Sequence, residues 1–228
     1  MKTSHILLAV ISILTLTGMI GTDMLLKQQY DKIDWTNPYQ QFEQRTLPIA
    51  KHWVIEGTPT SEIIIEKANT KGHALIDPEQ IKHYRMHQQG DTVFIAFTPD
   101  FSGYQNEPRA DADRELRVLL VLRLPTVQTL SFENGRLTLS GLIADSMAVS
   151  LQKSRLRTNK ITSSKSFSLT SSQNSFAILG EDYYHNLQTI VEDSSGVQLN
   201  NCQVDSFIKL VSPKAEIQLR GKALTWLK

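Results

Sequence analysis

Val127-Gln-Thr-Leu-Ser-Phe-Glu-Asn-Gly-Arg-Leu-Thr-Leu139 returns, about sixty residues later, as Leu187-Gln-Thr-Ile-Val-Glu-Asp-Ser-Ser-Gly-Val-Gln-Leu199. Gln, Thr and the final Leu are identical, positions 127/187, 130/190 and 137/197 stay apolar, and Glu133 answers Asp193. A shorter offset of about twenty residues pairs Val191 with Val211, Val197 with Ile217, Leu199 with Leu219, Val204 with Leu224 and Phe207 with Leu227. Three of the shorter steps make one of the longer. A period near twenty without helical spacing predicts an all-β chain folded as a β-solenoid, a β-helix-like stack of coils in which each coil buries its apolar row against its neighbours.

Within this region one frame recurs: an apolar residue, a gap of about five, then apolar-x-apolar. It is seen at Ile143/Val149/Leu151, Ile161/Phe167/Leu169, Val191/Val197/Leu199 and Val211/Ile217/Leu219, after an opening Leu137/Leu139. Residues i and i+2 of a strand share a face, so each such pair is expected to point into the core. Gly180-Glu-Asp-Tyr-Tyr-His-Asn186 falls where the register slips, and insertions of that kind map to loops on one side of a solenoid.

Upstream, the chain reads as shorter strands. His52 to Glu56 and Ser61 to Lys67 flank a Gly-Thr-Pro turn, Ile81 to His87 alternates, and Thr92-Val-Phe-Ile-Ala-Phe97 is the clearest strand. Phe101 to Glu115 has no period and is expected as a surface loop. Leu116 to Leu124 is a continuous apolar run, as in a strand buried on both faces, and Pro125 ends it.

At the amino terminus the uncharged run from Ile6 to Ile20 extends to Leu26 with Asp23 as its one charge. Its about 21 residues would span roughly 31 Å as a helix, enough to cross a hydrocarbon core. No Ala-x-Ala-like site and no lipoprotein cysteine follows it, which favours an uncleaved membrane anchor over a cleaved signal. Lys2 favours an N-in orientation, with Lys27 and Lys32 weakening that bias. The organisation expected is therefore residues 1–26 as transmembrane helix or signal, 27–47 as a polar juxtamembrane linker, and 48–228 as the β-solenoid head domain.

Composition narrows the function. Lys and Arg number 24 against 23 Asp and Glu in 228 residues, which excludes the concentrated positive field of a nucleic-acid surface. Cys202 is the only cysteine, so no intramolecular disulfide exists.

The order of parts also carries a resemblance. An N-terminal anchor, the pair Trp53-Val54-Ile55 and Ile63-Ile64-Ile65, then Asp91-Thr-Val-Phe-Ile95, an apolar strand ending in Pro125, and Leu130-x-Phe-x-x-Gly-x-Leu-x-Leu-x-Gly141 together resemble the autotransporter-adhesin head GIN domain family. The resemblance covers roughly Ile49 to Leu227 and implies a right-handed β-solenoid-like domain of a bacterial envelope protein, of a kind common in Bacteroidetes. Asn134-Gly135 and Ser195-Gly196 keep the family's turn character, whereas Lys153-Ser154 and Lys214-Ala215 depart from it. The family name implies adhesion, and it transfers no catalytic or binding residue.

Chemistry-bearing constellations are sparse. His83 and His87, expected on one strand face about 13 Å apart, are too distant for one ion. The serine runs Ser163-Ser-Lys-Ser166 and Thr170-Ser-Ser-Gln-Asn174 lack a nucleophile elbow and are expected to face solvent. Glu133 and Asp193, three coils apart at about 4.8 Å each, exceed either glycosidase geometry. Neither a metal nor a cofactor is expected. The densest polar and aromatic cluster is Asp182, Tyr183, Tyr184 and His185, the candidate contact loop for a protein or glycan ligand. The sequence thus points to a non-enzymatic, membrane-anchored extracytoplasmic binding or scaffold module of the bacterial envelope, with a periplasmic head on an inner-membrane helix or a secreted head after signal cleavage. A polysaccharide-acting β-helix enzyme and an inner-membrane sensor are the alternatives.

Overall fold

The structure is a computed structural model and describes residues 2–99 and 116–227. The loop expected over Phe101 to Glu115 lies outside the described residues. The chain divides into two units, Met1–Gln41 and Phe42–Lys228.

The first unit is helix α1 (Lys2–Tyr30) followed by a series of turns. From His5 to Tyr30 it is long and apolar enough to cross a membrane. Three of its hydroxyls are satisfied within the helix: Thr15, Thr17 and Thr22 donate to the carbonyls of Ile11, Ile13 and Gly18, one turn back. The helix runs one turn past Leu26, the end of the apolar run.

The second unit is built from strands. Its first half holds β1 (Glu43–Thr46), β2 (His52–Glu56), β3 (Glu62–Lys67), β4 (His73–Ile76), β5 (Tyr84–Gln89), β6 (Thr92–Phe97) and β7 (Val118–Leu124). Its second half holds β8 (Thr129–Glu133), β9 (Arg136–Ser140), β10 (Ile143–Gln152), β11 (Arg155–Asn159) and β12 (Thr162–Ser172). It continues through β13 (Phe176–Leu179), β14 (Tyr183–Val191), β15 (Gly196–Leu199), β16 (Gln203–Val211) and β17 (Glu216–Leu219). These form two mixed sheets, neither closed on itself: one of nine strands, β1-β4-β7-β3-β9-β11-β13-β15-β17, and one of eight, β16-β14-β12-β10-β8-β2-β6-β5. From β8 onward every strand lies in the sheet opposite its predecessor and pairs in parallel with the strand two elements away. Inward side chains of both sheets, among them Trp53, Ile55, Phe132, Leu137, Leu151, Phe167 and Leu199, form one core cluster. Each contributes about 1.5–3 kcal/mol by burial.

Register explains the repeat. On the nine-stranded sheet Leu137, Leu156, Ala177, Val197 and Ile217 stand in line, so 137/197 is a true three-strand echo. On the eight-stranded sheet the line is Leu130, Val149, Leu169, Thr189, and the apparent match of Leu130 with Ile190 is one residue off. A one-residue slip reverses the face, so Thr189 is buried and Ile190 points outward. The recurrent frame proves to be composite: 149/151 and 167/169 belong to one sheet, 197/199 and 217/219 to the other, and Ile143 is exposed. Past β17 the chain forms a 3-10 helix, Gly221–Leu227, not another strand, so the 204/224 and 207/227 pairs are not coil neighbours.

The connections β8–β9, β10–β11, β12–β13 and β14–β15 are each turned by residues with positive φ: Asn134, Lys153, Gln173 with Asn174, and Asp193. Beside them runs a buried ladder of side chains. The Gly135 amide donates to Ser154 Oγ at 3.3 Å, the Ser154 amide to Ser175 Oγ at 3.1 Å, and the Ser175 amide to Ser195 Oγ at 3.1 Å. Each hydroxyl takes a corner amide that the strand ladders leave unpaired. At the next step Ala215 stands in place of serine. The departures from glycine-rich corners at Lys153-Ser154 therefore keep the stacking intact.

Two expectations need correction. Ile81 to His87 is not one strand: Pro78–His83 is a 3-10 turn, with Asp77 as N-cap accepting the Glu79 amide at 3.0 Å, and the strand begins at Tyr84. Nor do all the serines face solvent. Ser163 and Ser171 are buried, and among the described residues Ser171 Oγ and Thr189 Oγ1 are buried polar atoms without a hydrogen-bond partner.

Candidate functional site

The outer face of the eight-stranded sheet is set by the two-residue period. Val54, Ser131, Ser150, Thr170, Ile190 and Leu210 form one in-register row across it, and His52, Thr129, Ala148, Ser168, Gln188 and Ile208 form the next. In the middle of both rows the side chains are only Ser, Thr and Ala. Small side chains flanked by larger ones leave a trough. Three adjoining depressions occupy it, of about 600, 180 and 330 Å³; the first two share Ala148 and Ser168, and the last two share Val54. From β5 to β12 this face spans five strand spacings, about 24 Å.

The two rows of the trough floor are uncharged, and charge gathers at its margins, with Glu56 and Glu133 one row beyond Val54 and Ser131. Toward β5, Arg85, Glu56 and the imidazole of His87 line the depression, and His87 stacks flat on Phe94, centroids 4.7 Å apart and planes at 2°. His52 Nδ1 lies 2.7 Å from Thr129 Oγ1 on the floor.

The opposite end is shaped by a bulge. Between Ser163 and Phe167, β12 carries one residue more than β14 beside it, and its register with β10 also shifts between Ala144 and Ser146. The extra residue turns polar side chains outward. Ser164 Oγ donates to Asp145 Oδ1 at 2.8 Å, Lys165 Nζ lies 2.9 Å from Asp145 Oδ2, and Ser166 Oγ donates to Ser146 Oγ at 3.0 Å. The Lys165 and Ser164 hydrogen bonds hold the Asp145 carboxyl below the ordinary aspartate range.

The sequence-predicted contact residues begin a strand, not a loop, and that strand divides them by face. Tyr183 and His185 point outward: Tyr183 Oη donates to Asp205 Oδ2 at 2.7 Å, and His185 Nδ1 lies 3.0 Å from the same oxygen. The Tyr183 bond first, then that from His185, lowers the Asp205 pKa. Asp182 and Tyr184 point inward, and Tyr184 is 0% exposed. The Asp182 carboxylate accepts from Thr158 Oγ1, from Tyr184 Oη at 2.9 Å, from the Gly180 amide at 3.0 Å and, through Oδ1, from the Ile161 amide at 2.8 Å. Burial outweighs these donors and raises the Asp182 pKa. The same burial raises the Tyr184 phenol well above its usual value and pushes the buried Cys202 thiol up to about 12. Gly180 is required there, because a Cβ would stand 2.4 Å from the Thr158 carbonyl oxygen. This inner half of the cluster holds the corner together and presents nothing to solvent.

The positions that the sequence set aside as sites lie in separate places. Asp193 is a corner residue whose Oδ2 accepts the Gln173 amide at 3.1 Å. Glu133 stands in register with Glu56, a neighbour invisible in the repeat. His83 and His87 lie on different elements, and among the described residues no three of His, Cys, Asp and Glu gather closely enough to hold a metal ion. The sequence reading also missed a buried ion pair on the nine-stranded sheet: Arg155 Nη2 lies 3.1 Å from Glu62 Oε2, with Thr138 Oγ1 on the other carboxylate oxygen, while Arg136 Nε donates to the Pro59 carbonyl at 3.0 Å. The arginines precede the Leu137 and Leu156 core positions, and that repetition was the available signal.

No protein-family model and no curated protein matches this chain. Among solved structures it is similar to a Bacteroides fragilis protein provisionally named an adhesin, at 11% identity over 79% of this chain and 97% of the other, with a TM-score of 0.36. A Parabacteroides distasonis protein provisionally named lipid-binding shows 10% identity over 80% and 96%, TM-score 0.34. A Clostridium sporogenes protein provisionally named for cell adhesion shows 9% over 79% and 98%, TM-score 0.34. These values are too low to assign function.

Proposed function

We propose that the protein is a membrane-anchored binding module whose head is a divergent β-solenoid of the head GIN type, displayed outside the cytoplasm of a bacterial cell, with the trough on its eight-stranded sheet receiving an extended, uncharged glycan. The observation that carries this reading is the pair of in-register rows whose centre is Thr129, Ser131, Ala148, Ser150, Ser168 and Thr170. Hydroxyls that both donate and accept, repeated on the three adjacent strands β8, β10 and β12 over two strand spacings, about 10 Å, match hydroxylated sugar units lying across the strands. The flat His87–Phe94 stack gives one end an aromatic platform. A neutral floor bordered by the carboxylates of Glu56 and Glu133 supports a neutral chain over an acidic one. The outward pair Tyr183 and His185 lies on the next strand and extends the polar rim.

The two rows themselves offer hydroxyls and no carboxylate for acid–base work, the neighbouring carboxylates being Glu56 and Glu133, in register with each other one row beyond. Helix α1, spanning the apolar run, supports an inner-membrane anchor with a periplasmic head; the alternative is a secreted head after signal removal. The test is a glycan array probed with the chain from Phe42 onward. Binding to neutral polymers, lost when Ala148→Trp fills the trough, supports the proposal; an array without a hit, or a hit unaffected by A148W, overturns it.

A further inference from the structure

The strongest feature the trough leaves unused is the end of α1. Tyr30, the last helical residue, and Trp35 pack their rings together, centroids 5.3 Å apart at 48°. Between and beyond them the chain doubles back: the Ile33 amide donates to the Tyr30 carbonyl at 3.1 Å, and the Gln40 side chain accepts from the Asp34 amide at 2.6 Å while donating to the Lys32 carbonyl at 2.7 Å. The Asp34 Oδ1 acceptor fixes the Thr36 amide at 2.9 Å. These bonds make residues 30–40 a closed, folded turn, not an extended linker. Yet its apolar side chains lie open, with Trp35 69% and Tyr30 60% exposed and Ile33 beside them.

Distance along the helix says what covers them. Leu26 ends the apolar run, so it marks the edge of the hydrocarbon if α1 spans it. Tyr30 is four residues further, about 6 Å along the axis. A bilayer adds roughly 5–7 Å of headgroup region on each side of its hydrocarbon core. Tyr30 therefore sits within that layer, and the ring contact holds Trp35 at the same depth instead of letting the chain carry it into water. Amphipathic rings are favoured at that level. Asp31, Lys32 and Asp34 stay hydrated there.

We propose that Tyr30 and Trp35 form an interfacial clamp, a phospholipid-headgroup contact built into the turn that follows the anchor. This rests on the reading of α1 as a membrane span. The test uses the full chain in phosphatidylethanolamine–phosphatidylglycerol vesicles, with Trp53→Phe and Trp226→Phe leaving Trp35 as the only tryptophan, and lipids brominated at shallow or deep acyl positions. The clamp predicts a blue-shifted Trp35 emission, quenched more strongly by shallow than by deep bromines, and red-shifted by Tyr30→Ala. If the protein floats with the vesicles but Trp35 emits as in water and is quenched by aqueous iodide, the clamp is wrong and the span stands. If the protein does not float, the span fails and the clamp with it. Should the double Phe variant fold poorly, the difference in bromine quenching between the natural chain and Trp35→Phe gives the same readout.

Discussion

The Tyr184 hydroxyl donates at 2.9 Å to the buried carboxylate of Asp182, and two backbone amides, those of Gly180 and Ile161, aim at the same group. Burial raises its pKa, against the lowering effect of the hydrogen bonds from Thr158, Ile161, Tyr184 and Gly180. A raised carboxyl pKa means the folded state favours the protonated form. Its stabilising contribution is therefore fully present below the unfolded value near 3.8 and is lost as pH rises through the folded value. Denaturant titrations between pH 4 and 7 should show the natural head losing stability relative to Asp182→Asn as pH rises; a difference that runs the other way contradicts the assignment. Asp182→Ala strands two buried amide donors, each at a cost of about 1–3 kcal/mol, and should be the harsher change at every pH.

The corner serines make a second expectation. Ser175→Ala removes the acceptor of the Ser154 amide inside the fold and should cost about 1–3 kcal/mol. Hydrogen exchange is the direct check: the Ser154 amide should lose protection while strand amides two coils away keep theirs. Unchanged protection at Ser154 would mean the hydroxyl is not its partner.

Thr189 occupies a core position of β14 with an unpartnered hydroxyl. Thr189→Val keeps the shape and removes the desolvated oxygen, so the head should gain about 1 kcal/mol. Thermal denaturation decides it, and a lower Tm would show that the hydroxyl has a bonding role.

Burial also ranks two leucines that the repeat treats as equal. Leu199 is buried between neighbouring strands, whereas Leu219 lies half-buried on the edge strand β17. Leu199→Asp buries an unpaired charge and should abolish cooperative unfolding, while Leu219→Asp should lower Tm and leave the transition cooperative. Circular dichroism melts of the two distinguish them, and equal effects would contradict the edge placement.

These contrasts show what was legible in the sequence. The line Leu137 to Val197 was readable because every inward position in it is occupied by an apolar side chain. The line through Leu130 was misread because Thr189 holds the inward place and Ile190, half-buried on the outward face, imitates it. Asp182 and Tyr184 read as a surface loop because polar side chains buried against backbone amides leave no compositional mark. The β12 bulge at Ser164–Ser166 hid the register of the patch around Asp145 for the same reason: an inserted residue shifts the period without changing its chemistry. Ser154, Ser175 and Ser195, about twenty apart, were a readable ladder, and the trough floor was not, since its rows appear only when strands from two halves of the chain are set side by side.

The most direct test of the account is the affinity of an array-identified glycan for the head and for two variants, measured by titration calorimetry. Ser150→Trp, on the trough floor, should weaken binding at least about tenfold, a loss of about 1.4 kcal/mol, while Asn159→Trp, exposed at the end of a strand in the other sheet, should leave it unchanged. Equal affinities for Ser150→Trp and the natural head, or a loss with Asn159→Trp alone, would contradict the assignment of this face as the binding site.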